Sequence, residues 1–266
     1  MKDTFDLQNP WRNPSYRFPT GKTIDRLLFD ILLEDLDQRV VTVVVGSRQV
    51  GKTFLMKKLI EILLNEKGCS PGQIFYFNFD AVDLVEFVAN DRDFLDFIAH
   101  YGVEGQKAYI FFDEAQRIPN IGLILKRYHD LEQNLKFIVS GSSSLEIKSQ
   151  VKETLTGRKH LFELYPVSFG EFLRFKGMKT PDESATLLRF ESEGYSRALD
   201  DFIVYGGYPG VAVCDRKEEK IRLLKEIYTS YVHKDVSDFF KIEDIPGFNR
   251  LVRFLSQQSG GLCKFS

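Results

Sequence analysis

The chain has 266 residues, 43% hydrophobic and 28% charged, which is enough apolar material for a large folded core. Its 36 basic and 38 acidic residues give a formal net charge of −2, without the basic excess typical of strong non-specific nucleic-acid binding. The N-terminal segment lacks an apolar signal core, no apolar run approaches the roughly 18 residues of a membrane span, and the three cysteines match no metal-binding or disulfide pattern. We therefore expect a cytoplasmic protein with free thiols and no membrane contact.

The distribution of apolar residues divides the chain into three parts. Residues 1–21, rich in Asn, Pro and Arg, are predicted to form an extended arm. In residues 22–166, strands predicted at 40–45, 73–79, 107–113, 136–140 and 159–164 alternate with helices predicted at 22–37, 52–66, 82–101, 121–133 and 144–156. This alternation predicts an α/β/α domain of three layers around a mostly parallel sheet. In residues 167–266, helices predicted at 169–177, 184–205, 216–240 and 248–258 indicate a smaller helical module.

The first motif with chemical content follows the buried run Val40–Val45. Gly46-Ser47-Arg48-Gln49-Val50-Gly51-Lys52-Thr53 matches the pattern of a phosphate-binding loop between a strand and a helix. The glycines allow the backbone to approach phosphate closely, and the helix N-terminus favours negative charge. Lys52 is expected to reach the β- and γ-phosphates, and the Thr53 hydroxyl to ligate magnesium. The sequence thus predicts an ATP-type nucleotide bound by Gly46, Ser47, Arg48, Gln49, Val50, Gly51, Lys52, Thr53 and Phe54.

Two acids follow an apolar run sixty residues later, at Asp113 and Glu114. An aspartate at this place in a nucleoside triphosphatase holds magnesium, through water or through Thr53. The adjacent glutamate is suited to polarise the attacking water as a general base. The pair favours a water-activating ATPase over a kinase or a switch GTPase, and the sequence lacks the Asn/Thr-Lys-x-Asp motif of guanine-specific proteins. We therefore predict magnesium-dependent ATP hydrolysis, with Glu114 and Lys52 as catalytic residues.

Two further segments carry candidate site residues with alternatives that stay open. Ser140 and Ser142, at the end of the predicted strand 136–140, suit contact with the γ-phosphate or positioning of water, and the serines that follow suit a helix cap. Arg158 follows Gly157, where it suits either an arginine finger for a neighbouring subunit or an ordinary surface position after a helix stop. Residues 205–209 are typical of a glycine turn, with a lid over adenine as the alternative.

Taken together, these segments resemble the AAA+-like ATPases of archaea and bacteria, sometimes called archaeal-type ATPases. The resemblance rests on residues 9–11, 46–53, 111–120, 139–144, 155–158, 164–172 and 205–209, and covers nearly the whole chain. It implies a P-loop NTPase fold of the AAA+ kind, followed by a helical lid and a winged-helix-like segment. It also implies a C-terminal domain of nuclease-like fold. Because the chain stops at Ser266 without a polar tail, we expect either a truncation there or a further domain beyond it.

The residues leave two functional hypotheses open. One is an ATPase motor or switch that binds ATP and ADP, forms a homo-oligomer and acts on a DNA or protein client. The other is a nucleotide-dependent binding module with little turnover, whose effector activity lies in a missing C-terminal domain. DNA is a client by family analogy only, because acidic residues interrupt the basic run 217–225 as on a solvated helix face. A small-molecule kinase is disfavoured, since the helical module lacks an arginine cluster for clamping phosphate.

Overall fold

The computed structural model describes residues 2–131, 134–142, 154–180, 189–231 and 244–258. Its strands are β1 (Val41–Gly46), β2 (Ile74–Asn78), β3 (Ala108–Asp113), β4 (Leu135–Ser142) and β5 (Lys159–Glu163). Its helices are α1 (Lys2–Gln8), α2 (Leu27–Asp35), α3 (Lys52–Asn65), α4 (Asp83–Ala89), α5 (Asp91–Tyr101), α6 (Ile121–Asp130), α7 (Phe169–Phe175), α8 (Arg189–Tyr205), α9 (Pro209–Ala212), α10 (Lys217–Tyr231) and α11 (Ile245–Gln257). The five predicted strands are confirmed.

The strands form one sheet in the order β2-β3-β4-β1-β5, and every neighbouring pair is parallel. The carboxyl ends of all five strands therefore lie at the same edge of the sheet. Strand β4 lies between β1, which leads into the glycine-rich loop, and β3, which ends in the acidic pair. This order places the loop, the acids and the serines of β4 at neighbouring positions along that edge.

The sheet is buried on both faces, which explains the uninterrupted apolar runs of its strands. In β1, Val43 and Val45 pack in one core with residues of α1, α4, α5 and α6. Val44 packs in the other core, with residues of α2 and α3. Helices thus cover both faces, and the predicted three-layer α/β/α fold is confirmed.

The prediction of an extended N-terminal arm is wrong for residues 2–8, which form α1. The helix is stabilised by tertiary packing, which outweighs weak local propensity. Phe5 is 1% exposed and contacts the rings of Phe75, Phe77 and Phe97. Helix α2 starts at Leu27 rather than at the predicted residue 22, because Arg26 keeps an extended backbone that directs its side chain into a buried ion pair.

The chain has two compact units, residues 1–213 and 214–266. The first contains the sheet together with α7, α8 and α9, and a small core of Ile24, Val167, Phe172 and Ala212 joins residues before and after the sheet. The second contains α10 and α11, where the hydroxyl of Tyr228 donates to Asn249 Oδ1 at 2.6 Å. The predicted division at residue 166 remains a prediction.

Some predictions fall on residues that the structure does not describe. These are most of the helix at 144–156, the start of the helix at 184–205, the end of the helix at 216–240, and Cys263. Among the described cysteines, Cys69 and Cys214 are free thiols as expected. No helix in the described ranges has both the length and the apolar character needed to cross a membrane.

Candidate active site

The glycine-rich loop connects the end of β1 to the start of α3, as predicted. Gly51 has a left-handed backbone, with φ of 102°, directly before the first residue of the helix. A Cβ at Gly46 would lie 2.5 Å from the carbonyl oxygen of Leu164, which belongs to the segment after β5. The two glycines are therefore required for different reasons, Gly51 by its own conformation and Gly46 by the close approach of another backbone.

Lys52 begins α3 and is folded back over the loop. Its side chain is almost fully buried, and Nζ donates to the carbonyl oxygens of Gly46 and Ser47, each at 3.0 Å. The positive charge and the backbone N–H groups of the first helical turn thus lie together at the loop. Such an arrangement at a helix N-terminus suits the binding of phosphate.

The predicted metal-binding side chains come together across the sheet. Asp113 ends β3 and is fully buried, and its Oδ2 accepts a hydrogen bond from Thr53 Oγ1 at 2.6 Å. Hydroxyl and carboxylate oxygens beside a phosphate loop are the ligands that magnesium takes in proteins, so the residues present fit that ion. Ser140, in β4, donates its hydroxyl to Asp113 Oδ1 and is also fully buried. Its hydroxyl therefore contacts the acid.

The sequence interpretation missed Tyr76, in β2. Its hydroxyl donates to Asp113 Oδ2 at 2.7 Å. Burial and then the nearby charge of Asp113 raise the pKa of Tyr76, so its hydroxyl keeps the proton that it donates. The signal in the sequence was a tyrosine hydroxyl in the middle of the apolar run Ile74–Phe77.

Glu114 has a left-handed backbone, with φ of 57°, immediately after β3. This conformation turns its side chain away from that of Asp113, and Glu114 lines the cavity at the loop. Gln116, which the sequence interpretation also missed, donates from Nε2 to Glu114 Oε2 at 2.5 Å. Its Oε1 accepts from the backbone N–H of Ser142 at 3.1 Å. Gln116 thus links the candidate general base to the end of β4.

A cavity of about 520 Å³ lies over the loop, within the usual range for small-molecule sites. Lys52, Thr53 and Glu114 line it, as does the partly exposed ring of Phe54. The remaining wall comes from residues distant in the chain, namely Lys22, Thr23, Ile24, Arg26, Gln49, Val50, Gly51, Lys57, Pro209, Gly210 and Val213. In the segment 205–209, Gly206 has a left-handed backbone with φ of 74° directly after α8, as at a glycine helix stop, and Pro209 lines the cavity.

A buried ion pair lies directly behind the loop. Arg26 Nε donates to Glu171 Oε1 at 3.1 Å, and both side chains are only 6% exposed. The same guanidinium donates to the backbone oxygens of Val50 at 2.9 Å and Tyr165 at 2.5 Å. Arg26 therefore ties the loop to the segment after β5 and to α7. No local pattern could indicate this pair, because 145 residues separate its members.

The structure does not bring Arg158 to the loop of its own chain. Its carbonyl oxygen accepts a hydrogen bond from the N–H of Val41, the first residue of β1, whereas the loop follows the last residue, Gly46. At the rise of an extended strand these positions are about 16 Å apart. The Arg158 side chain donates from Nε to Asp130 Oδ1 at 2.7 Å. Within one chain, Arg158 therefore lies at the amino ends of the strands, and the loop lies at their carboxyl ends.

Comparison with known proteins identifies similar sequences and folds. Residues 38–173 match the family model described as an AAA domain, and residues 196–266 match a family described as a domain of unknown function. The uncharacterized protein MJ1544 of Methanocaldococcus jannaschii is 28% identical over 205 residues, which cover 77% of this chain and 44% of the relative. An uncharacterized protein of Haemophilus influenzae is 25% identical over 232 residues, covering 87% of this chain and 54% of the relative. The chain thus spans about half the length of these curated relatives.

A solved structure has a similar fold. The Walker-type ATPase PABY2304 of Pyrococcus abyssi superposes with a TM-score of 0.50 and 14% sequence identity, covering 85% of this chain and 79% of that chain. At this identity the similarity concerns the fold alone. It agrees with the layered sheet described above.

Proposed function

This chain belongs to the AAA domain family, and on that premise we propose that it binds ATP with magnesium and hydrolyses the nucleotide. The proposal is supported above all by the 2.6 Å hydrogen bond between Thr53 Oγ1 and Asp113 Oδ2. This contact joins two segments that are sixty residues apart in the chain, at the edge of the sheet where the phosphate loop begins. Thr53 and Asp113 are the residues that would hold the ion, and magnesium, when bound, neutralises phosphate charge.

The remaining roles follow from the positions of the side chains. The N–H groups of the loop and Lys52 bind the phosphates, and the apolar wall that includes Ile24 and Pro209 receives the adenine. Glu114 accepts a proton from the attacking water as the general base. Gln116 orients Glu114, because its amide is held on the other side by the backbone of β4. Ser140 and Tyr76 orient the carboxylate of Asp113.

The proposal is tested by measuring ATP binding and turnover in matched variants. Lys52→Ala should lose ATP binding, because it removes the ammonium group that lies against the loop backbone. Glu114→Gln should bind ATP with wild-type affinity and lose about 10²- to 10⁴-fold in turnover, the range for a general base. Glu104→Gln changes an exposed glutamate on a surface loop and should behave as wild type. Wild-type turnover in Glu114→Gln, or a wild-type protein that does not bind ATP, would contradict the proposal.

We further propose that the active unit is a homo-oligomer in which Arg158 acts on the nucleotide of a neighbouring subunit. Arg158 lies at the amino ends of the strands, away from the phosphate loop of its own chain. This position supports the proposal, since Arg158 could then reach only the phosphate loop of a second chain. Turnover per chain should then rise with protein concentration. Arg158→Ala and Lys52→Ala should each be inactive, and a mixture of the two should regain activity, because one subunit supplies the loop and the other the arginine. An inactive mixture of stably folded variants would exclude a shared site.

A second candidate function is a nucleotide-dependent switch whose effector lies in another domain. The length of the curated relatives favours this second candidate, because these relatives are about twice as long as the region that matches. In that case Glu114→Gln would hold the protein in its ATP-bound, active state, whereas in a motor the same variant would abolish activity. We propose a protein or DNA client for the ATPase motor or switch, and a cytoplasmic location under either candidate function. The free thiols of Cys69 and Cys214 suit a reducing compartment.

A further inference from the structure

Tyr76 carries a polar hydroxyl in the buried part of β2, whose last residue, Asn78, is partly exposed. Only 2% of the residue is exposed, and its neighbours Phe75 and Phe77 are fully buried in the opposite core. The Tyr76 hydroxyl and the Thr53 hydroxyl both donate to the same oxygen, Oδ2 of Asp113, at 2.7 and 2.6 Å. A phenylalanine at this position would fill the same space. What tyrosine adds is therefore the hydroxyl, which donates a hydrogen bond to Asp113.

The N-terminal segment holds Tyr76 in place. Strand β2 is an outermost strand of the sheet, with β3 on one side only. On its other side, the side-chain amide of Asn9 takes the place of a neighbouring strand. Asn9 Nδ2 donates to the backbone oxygen of Tyr76, and the backbone N–H of Tyr76 donates to Asn9 Oδ1, both at 2.8 Å. The ring of Trp11 packs edge-on against the Tyr76 ring, with centroids 6.2 Å apart. Asn9 and Trp11 are 1% and 6% exposed, so this contact is part of the folded core.

We propose that Tyr76 is a positioning residue for magnesium-dependent nucleotide binding, and that Asn9-Pro10-Trp11 is the brace that holds it. The inference rests on the proposed function, whose metal site it extends. The terminal torsion of an aspartate is broad, so a carboxylate is oriented by its hydrogen bonds. Ser140 fixes Oδ1, while Tyr76 fixes Oδ2 beside Thr53. Hydrogen bonds to a metal-ligating carboxylate are typically worth about 10- to 100-fold in metal affinity.

The test compares ATP affinity with and without magnesium. The dissociation constant of the β,γ-imido analogue of ATP is measured by calorimetry in excess magnesium and in EDTA, and the ratio of the two values is the magnesium effect. Tyr76→Phe should weaken binding about tenfold in magnesium and leave binding in EDTA unchanged. Asn9→Ala should shift the same ratio in the same direction by a smaller factor, because it loosens Tyr76 without removing the hydroxyl.

Tyr128→Phe is the matched control. Tyr128 is also a buried tyrosine, and its hydroxyl donates to the carbonyl oxygen of Val88 at 2.8 Å, away from the loop. This variant loses one buried hydrogen bond as Tyr76→Phe does, and should keep the wild-type magnesium effect even if its melting temperature falls. Comparable melting temperatures of the two variants would show that stability is matched.

Several results would overturn the inference. A wild-type magnesium effect in Tyr76→Phe would refute the role of Tyr76, and an equal loss in Tyr128→Phe would assign the effect to general stability. If Tyr76→Phe weakened analogue binding as much in EDTA as in magnesium, the defect would lie in the loop and not at Asp113. A change in melting temperature alone for Asn9→Ala would remove the brace from the proposal. If the wild-type protein bound the analogue neither in magnesium nor in EDTA, the proposed function itself would be refuted. If it bound the analogue with the same affinity in both media, the metal site would be refuted.

Discussion

One aspartate is buried at the carboxyl ends of the strands and another at their amino ends, and the two aspartates have different neighbours. At the carboxyl ends of the strands, Asp113 accepts hydrogen bonds from the hydroxyls of Thr53, Tyr76 and Ser140, which are neutral donors. At the amino ends, Asp35 lies 3.3 Å from Lys136 Nζ and 2.5 Å from His160 Nδ1.

Neutral hydroxyls satisfy the lone pairs of a carboxylate without cancelling its charge, whereas Lys136 cancels that of Asp35. Burial works against the charged form of Asp35, but hydrogen bonds from His160 and Thr42 and the charge of Lys136 lower its pKa below the ordinary value. The amino-end cluster is therefore complete in itself and stabilises the fold. The carboxyl-end cluster retains a negative charge that suits binding of a cation. The predictions below test this difference.

The largest expected effect is at the carboxyl edge. Asp113→Asn keeps the shape of the side chain and removes its charge, so turnover should fall by about 100-fold or more, since metal-assisted charge stabilisation is worth several kcal/mol. The free energy of unfolding should change little, because the amide oxygen can accept from Ser140 and the amide NH2 can donate to the hydroxyl oxygens of Thr53 and Tyr76. Steady-state ATPase rates and urea unfolding of the same preparations check both parts. A loss of several kcal/mol in stability would show that Asp113 is as structural as Asp35.

The opposite result is expected at the amino edge. Asp35→Asn leaves Lys136 buried without its partner, and breaking a buried ion pair costs about 3 kcal/mol or more. The affinity of the folded fraction for ATP should equal that of wild type, because the phosphate loop lies at the other end of β1. Urea unfolding and calorimetry measure the two quantities. A stability loss below about 1 kcal/mol would contradict the assignment of this cluster to the fold.

The amino-edge cluster also predicts a pH dependence of stability. Burial lowers the pKa of Lys136 from 10.5 to about 8, although Asp35 opposes the shift. Between these values the unfolded chain binds a proton that the folded chain has released, so the free energy of unfolding rises with pH in this window and is lower below it. From pH 8 to pH 9.5 the contribution is about 2 kcal/mol.

Urea unfolding at both pH values measures this contribution against Lys136→Met. The increase should be absent from the variant, because methionine fills the buried site without titrating. The same pH slope in both proteins would contradict the prediction.

The smallest expected effect separates orientation from charge at the carboxyl edge. Gln116→Leu removes the hydrogen bond to Glu114 and keeps the charge of both acids, so turnover should fall about tenfold, or 1.4 kcal/mol in activation free energy. The affinity for ATP should not change, because Gln116 contacts the general base and not the loop. Single-turnover rates beside equilibrium binding distinguish these effects. A change in affinity with an unchanged rate would mean that Gln116 supports the binding site instead.

Local sequence was sufficient for the parts of this protein that lie within one short segment. The β-branched run before Gly46 and the glycines around Lys52 predict a buried strand, a phosphate loop and a helix because strand burial, glycine conformations and helix N-termini depend on adjacent residues. Asp113 and Glu114 were identified for the same reason, at the end of an apolar run. By contrast, the composition of residues 2–8 predicted no helix, since α1 depends on where Phe5 packs.

Only the tertiary structure decided which distant residues meet. Tyr76 reaches Asp113, Arg26 reaches Glu171, and Lys136 reaches Asp35 across 37, 145 and 101 residues of chain. The contacts of Tyr76 and Lys136 depend on strand order and register: β4 lies between β1 and β3, and Asn78 lies opposite Asp113. The contact of Arg26 depends on where α7 packs. Strand order is set by how whole helices and strands pack against one another, a property that no local pattern encodes. The sequence by itself thus indicated the loop and the acids of the candidate site, and the fold decided which other side chains hold them in position.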